Sequence, residues 1–266
     1  MLKSFSLSIE EVAFALAAAG DSDGAAGFLQ SLVGNLSPDQ LSGRLTAASH
    51  SLLARGILTI DLSNQQSSMS TDLARIVSVF TNATSSIRCT KTVNAGEMTV
   101  TYFFDRDGCL EYVVEQGVVS HLTLFDAHTD VLSRIIDFVE CRKSGRAQVW
   151  GKVSGESLQI MRRMASERDE TRLKQHIQQR LDHAAVDALA TSMLDGQAIW
   201  GAVLLLTTTS TSPEIEANKG IFYLNTRDTT WLFDATGNDA MLTVAESSIQ
   251  MLTDSVQRLL KQAGNQ

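Results

Sequence analysis

The chain has little of what marks an exported, membrane-spanning or catalytic protein. Its 266 residues include three cysteines, Cys89, Cys109 and Cys141. An odd, widely spaced set excludes a disulfide framework and a zinc knuckle, and free, half-buried thiols in a reducing compartment are expected. Long apolar runs are also missing. The longest in the C-terminal half, Ala202 to Leu206, falls far short of the roughly 20 residues a spanning helix needs. The start, Met1-Leu2-Lys3-Ser4, meets Glu10 and Glu11 before any apolar stretch could serve as a signal core. A cytoplasmic protein with no membrane partner is expected.

Catalytic signatures are absent as well. Gly20, Gly24 and Gly27 follow no strand and precede no Lys-Ser/Thr, so neither a dinucleotide fingerprint nor a phosphate loop is present. The letters G-x-S-x-G occur at Gly20-Asp21-Ser22-Asp23-Gly24, but no strand precedes them as a nucleophile elbow requires, and no cysteine has a histidine neighbour suited to nucleophilic chemistry. Asp105-x-Asp107-Gly108 resembles the start of a calcium loop, but strands flank it and no downstream Glu closes it, which makes it a hairpin turn. Asp126-x-His128-x-Asp130 alternates three potential metal ligands. The competing reading is an N-terminal cap for the helix that follows, and it is the one adopted. His183 and Asp187 stand one helical turn apart near His176, and without a third ligand they read as surface residues. His121, on a strand face with Val119, Thr123 and Phe125, is expected to be hydrogen-bonded and partly buried. No cofactor, no metal and no enzyme activity are expected.

Charge bears on partners. The net charge of −8 disfavours nucleic acid or an anionic membrane as a partner of the whole surface. One segment differs: Glu140 to His183 carries a local +4, against −12 for the remainder. Its cations include Arg162, Arg163 and Arg168, the candidate nucleic-acid contacts there. Acidic residues interrupt the run and no aromatic lies among the arginines from Arg162 to Arg180 to stack on bases. Helical pairs such as Glu170 and Lys174, spaced i,i+4, account for it as a solvated face.

Periodicity predicts an α+β fold. Residues 1–62 read as three helices and a strand. Capping boxes start the first helix (Ser8 to Glu11) and the third (Ser37 to Gln40, with Pro38 at its first position). Ser63 to Ser70 reads as a loop, and Leu73, Ile76, Val77 and Phe80 form one helical face. Ile87–Val93, Glu97–Phe104, Cys109–Glu115 and Val118–Phe125 should form an antiparallel meander, with turns at Asn94-Ala95-Gly96, around Gly108 and at Gly117. A helix over Thr129–Cys141 closes a first strand-helix half at 63–141. Residues 142–196 form a basic helical connector. A second half at 197–266 holds strands at Ile199–Thr207, Gly220–Asn225 and Thr230–Asp234, then a closing helix over Thr243–Lys261.

Leu124-Phe125-Asp126-Ala127 recurs as Leu232-Phe233-Asp234-Ala235. Each copy ends a strand and leads toward a long helix, so the two halves read as an internal pseudo-repeat. Pairing such halves would bury a sheet face that each leaves uncovered. This layout, from about residue 87 to 262, resembles the EspG family of type VII secretion chaperones, whose fold carries a quasi-two-fold repeat. The resemblance implies a non-catalytic protein that binds helical partner proteins. The N-terminal segment from Ser37 to Ile60 resembles the recognition helix and first wing strand of a winged helix. That resemblance implies DNA contacts from Arg44, His50 and Arg55, although two arginines, one offset by Asp39, are a poor electrostatic footprint. The reading is a protein-interaction module, adaptor or chaperone-like, with a protein partner or self-association. A nucleic-acid-binding regulator is the disfavoured alternative.

Overall fold

A computed structural model describes residues 3–61, 66–93, 96–106, 108–125, 128–142, 147–209, 212–237 and 240–264. In chain order the first part holds β1 (Lys3–Ser8), α1 (Ile9–Ala18), α2 (Ser22–Val33), α3 (Pro38–Ala54), β2 (Leu58–Asp61), β3 (Gln66–Met69) and α4 (Thr71–Asn82). A meander follows: β4 (Ser85–Val93), β5 (Gly96–Asp105), β6 (Gly108–Glu115), β7 (Val119–Phe125), then α5 (His128–Val139). The second part repeats the pattern with β8 (Gln148–Ser154), α6 (Gly155–Ser166), α7 (Glu170–Gln178) and α8 (His183–Leu194). Its meander is β9 (Ile199–Thr209), β10 (Ser212–Asn225), β11 (Thr230–Asp234) and β12 (Met241–Glu246), closed by α9 (Ile249–Ala263). The fold is α+β with an internal pseudo-repeat: strand, helices, four strands, helix, twice over, with the β2 and β3 strands added among the helices of the first.

The chain divides into two units, one of residues 1–84 and 100–128, the other of 85–99 and 129–266. In the first, antiparallel strands lie in the order β1-β7-β6-β5. Helices α1 to α4 bury Leu16, Leu29, Leu52, Leu73 and Ile76 against Leu7, Leu110, Leu122 and Leu124. The expected caps are in place. Ser8 ends β1 and starts α1 by accepting from the Glu11 N–H at 3.1 Å, while its own N–H donates to the Glu11 carboxylate at 2.8 Å. Ser37 and Gln40 close the second box. Between β6 and β7 the turn residues Gln116 (φ 51°) and Gly117 (φ 72°) are both left-handed. That is the backbone of a tight hairpin whose twist matches its strands.

The second unit orders its strands β4-β9-β10-β11-β12-β8. Side chains alternate across a strand, which gives this sheet two faces. Leu224, Trp231, Phe233, Leu242 and Val244 pack under α6, α7 and α8 against Met161, Leu173, Ile177 and Leu189. The opposite face meets α9, which lies over β4, β9 and β10. Leu252, Val256 and Leu259 of α9 are fully buried, worth roughly 2 kcal/mol each.

Four expectations need correction. Gln66–Met69, read as loop, is a strand paired with β2. The edge strands β1 and β8 are additional elements. Their inward residues are few (Leu7 in one, Val153 in the other), so each offers too short an alternation to stand out. Residues 243–246 belong to β12, and the closing helix starts at Ile249 behind its N-cap Ser248. Leu242 and Val244 face the core two apart, the period of a strand. The extra strand shifts the repeat. Phe125 ends the fourth strand of its meander, whereas Asp234 ends the third strand of the other. The recurring Leu-Phe-Asp-Ala therefore does not mark equivalent positions, and β7 corresponds to β12. Asp126 itself, like Ala127, Asn94, Ala95 and Asp107, lies outside the described residues.

Candidate functional site

In the second unit, a cleft of about 510 Å³ opens between α9 and strands β11, β12 and β8. Its floor comes from Leu232 and from Met241, Thr243 and Ala245, with Lys152 of β8 at the margin. The register explains this set: Leu232 pairs with Ala245, Asp234 with Thr243, and Thr243 with Lys152, and directly opposed residues share a face. The α9 wall presents Gln250, Met251, Asp254 and Arg258, on the flank beside the buried Leu252–Val256–Leu259 stripe. Of the large apolar residues exposed among the described residues, Met241 lines the cleft, while Val149 and Ile249 stand in β8 and the first turn of α9, next in sequence to lining residues or their strand partners. Apolar exposure gathered at one place marks a contact surface more often than scattered residues do. The two methionines add side chains that repack around varied shapes.

One polar cluster closes the end of the cleft. The Asp234 carboxylate accepts from the Thr236 N–H at 2.7 Å, from the Arg258 guanidinium at 2.8 Å, and from the Ser255 hydroxyl. Arg258 also donates to the Thr236 hydroxyl at 2.8 Å. Each polar group here answers another across β11, the turn after it and α9. The cluster pins the helix to the end of β11.

The residues singled out in the sequence lie elsewhere. Arg44 pairs with Glu10 at 2.6 Å. Arg55 grips both carboxylate oxygens of the buried Glu11 at 2.9 and 3.0 Å and donates to the Ser6 carbonyl at 3.0 Å. Only His50, exposed on α3, presents its side chain to solvent without a described role. The β2–β3 ribbon does follow α3 as a wing would, but the arginines of that segment bind it together. In the second unit, Arg162 lies over the Trp200 ring at 4.7 Å, an aromatic partner distant in sequence. Arg163 and Arg168 are exposed. Part of the basic segment is paired: Lys174 meets Glu170 and Asp187, each at 2.8 Å, and Arg172 meets Asp169 at 3.4 Å.

Asp187 thus serves Lys174, and His183 meets Gln178 at 3.2 Å. His176 bonds the buried Ser157 hydroxyl at 2.8 Å, a pair the sequence reading missed because 19 residues separate the partners. Ser157 is 3% exposed and out of reach of any substrate. His121 lies between Ser6 at 3.0 Å and Glu115 at 2.9 Å. Among the described residues no three His, Cys, Asp or Glu side chains converge as a metal site. The side chain of His128, like Asp126, is outside them. No helix among the described residues is long and apolar enough to cross a membrane.

The chain's fold is similar to that in the structure of the Mycobacterium tuberculosis type VII secretion system chaperone EspG5 in complex with the PE25-PPE41 dimer. The TM-score is 0.65 at 12% sequence identity, over 97% of this chain and 96% of that one. The similarity extends through the N-terminal helices as well as the region from 87 to 262. None of the curated proteins matches the chain. Residues 4–256 match the family described as "Uncharacterised protein YfjC". That match spans both halves of the pseudo-repeat, and the chain belongs to the YfjC family.

Proposed function

We propose that this chain is a non-catalytic, chaperone-like protein that binds another protein through the cleft between α9 and the β11-β12-β8 face. The observation that carries this reading is the fold shared, end to end, with a chaperone solved in complex with a protein dimer. The cleft supports it: an apolar floor, two methionines and exposed apolar residues at its margin suit an apolar protein segment. The Asp234, Thr236, Ser255 and Arg258 groups at its end are bonded to one another. Nucleic-acid binding through the N-terminal segment is disfavoured, since Arg44 and Arg55 are engaged in ion pairs and phosphate contacts need free cations.

The test begins with the full chain at its natural abundance, crosslinked in its own cells to identify a partner. That partner is then purified and mixed with the chain. A complex of fixed stoichiometry by light scattering is expected. Met241→Glu and Met251→Glu should each weaken it about tenfold or more, roughly 1.4 kcal/mol or greater, with little change in Tm. A complex that both variants form as tightly as the parent would remove the cleft from the proposal. The absence of any partner that reconstitutes from purified components would remove protein binding itself.

A further inference from the structure

We draw no further inference here: the strongest candidate, the hydrogen-bonded Ser6–His121–Glu115 row across β1, β7 and β6, lies on an open sheet face where nothing in the structure gathers a ligand cavity or oxyanion donors around it.

Discussion

Replacing Arg55 with Met tests whether this arginine holds the first unit together or serves a ligand. Glu11 is 4% exposed, and its carboxylate accepts from the Arg55 guanidinium, from the Ser51 hydroxyl at 2.7 Å and from the Ser8 N–H at 2.8 Å. Met keeps most of the stem and removes the charge. The Ser51 and Ser8 bonds survive, so Glu11 loses its counter-charge but not all its donors. Removing one partner of a fully buried ion pair costs about 3–5 kcal/mol. Arg55 is 42% exposed along its side chain, so water screens the pair and the lower figure is itself too high. A loss of about 2 kcal/mol is expected. Glu11→Gln in the Arg55→Met background should recover part of it, because the orphaned charge is then gone, giving a coupling of about 1 kcal/mol in a double-mutant cycle. Urea unfolding reads this as a lower midpoint at unchanged slope for the transition that reports the first unit. A midpoint within about 0.5 kcal/mol of the parent, the range of ordinary surface changes, would refute the reasoning and return Arg55 to the pool of free cations.

Asn225 is buried, donating to the Val139 carbonyl at the end of α5 and accepting from the Thr230 hydroxyl at 2.7 Å. Asn225→Ala should take the amide donor from the Val139 carbonyl and the acceptor from the Thr230 hydroxyl proton, and cost about 2–3 kcal/mol by chemical denaturation. His176 titrates below its ordinary range because burial and then the Arg180 charge oppose its protonation. The folded state therefore binds this proton less readily than the unfolded one, and stability falls as pH drops from about 6.5. His176→Gln should flatten that fall between about pH 7 and 5 in midpoint measurements; an unchanged profile would deny the contribution. Burial, with a smaller contribution from Glu111, pushes the Cys109 thiol up, and Cys89 is fully buried. Only Cys141, half-buried, should react with a thiol reagent in the native protein, and all three on denaturation.

Sequence determined what depends on neighbours a few residues apart. The capping boxes at Ser8 and Ser37, the hairpin at Gly117 and the amphipathic faces of α4 and α9 each arise from chemistry within one or two turns of chain. That the chain is α+β and repeats itself was legible from this local order. The register of the repeat was not. Four matching letters at Asp126 and Asp234 pointed one strand away from the true correspondence, because a strand's place in a meander depends on how many strands precede it. Whether Thr243–Glu246 extends or coils was settled by its partners, Asp234 to Trp231 on one side and Lys152 to Gln148 on the other. Tertiary structure alone joined Glu11 to Arg55 across 44 residues and Arg162 to Trp200. The cleft draws its lining from residues as far apart as Ala147 and Arg258. No local pattern encodes it, since it exists only where α9, packed over β4, β9 and β10 and tied to Asp234 of β11, meets β12 and β8.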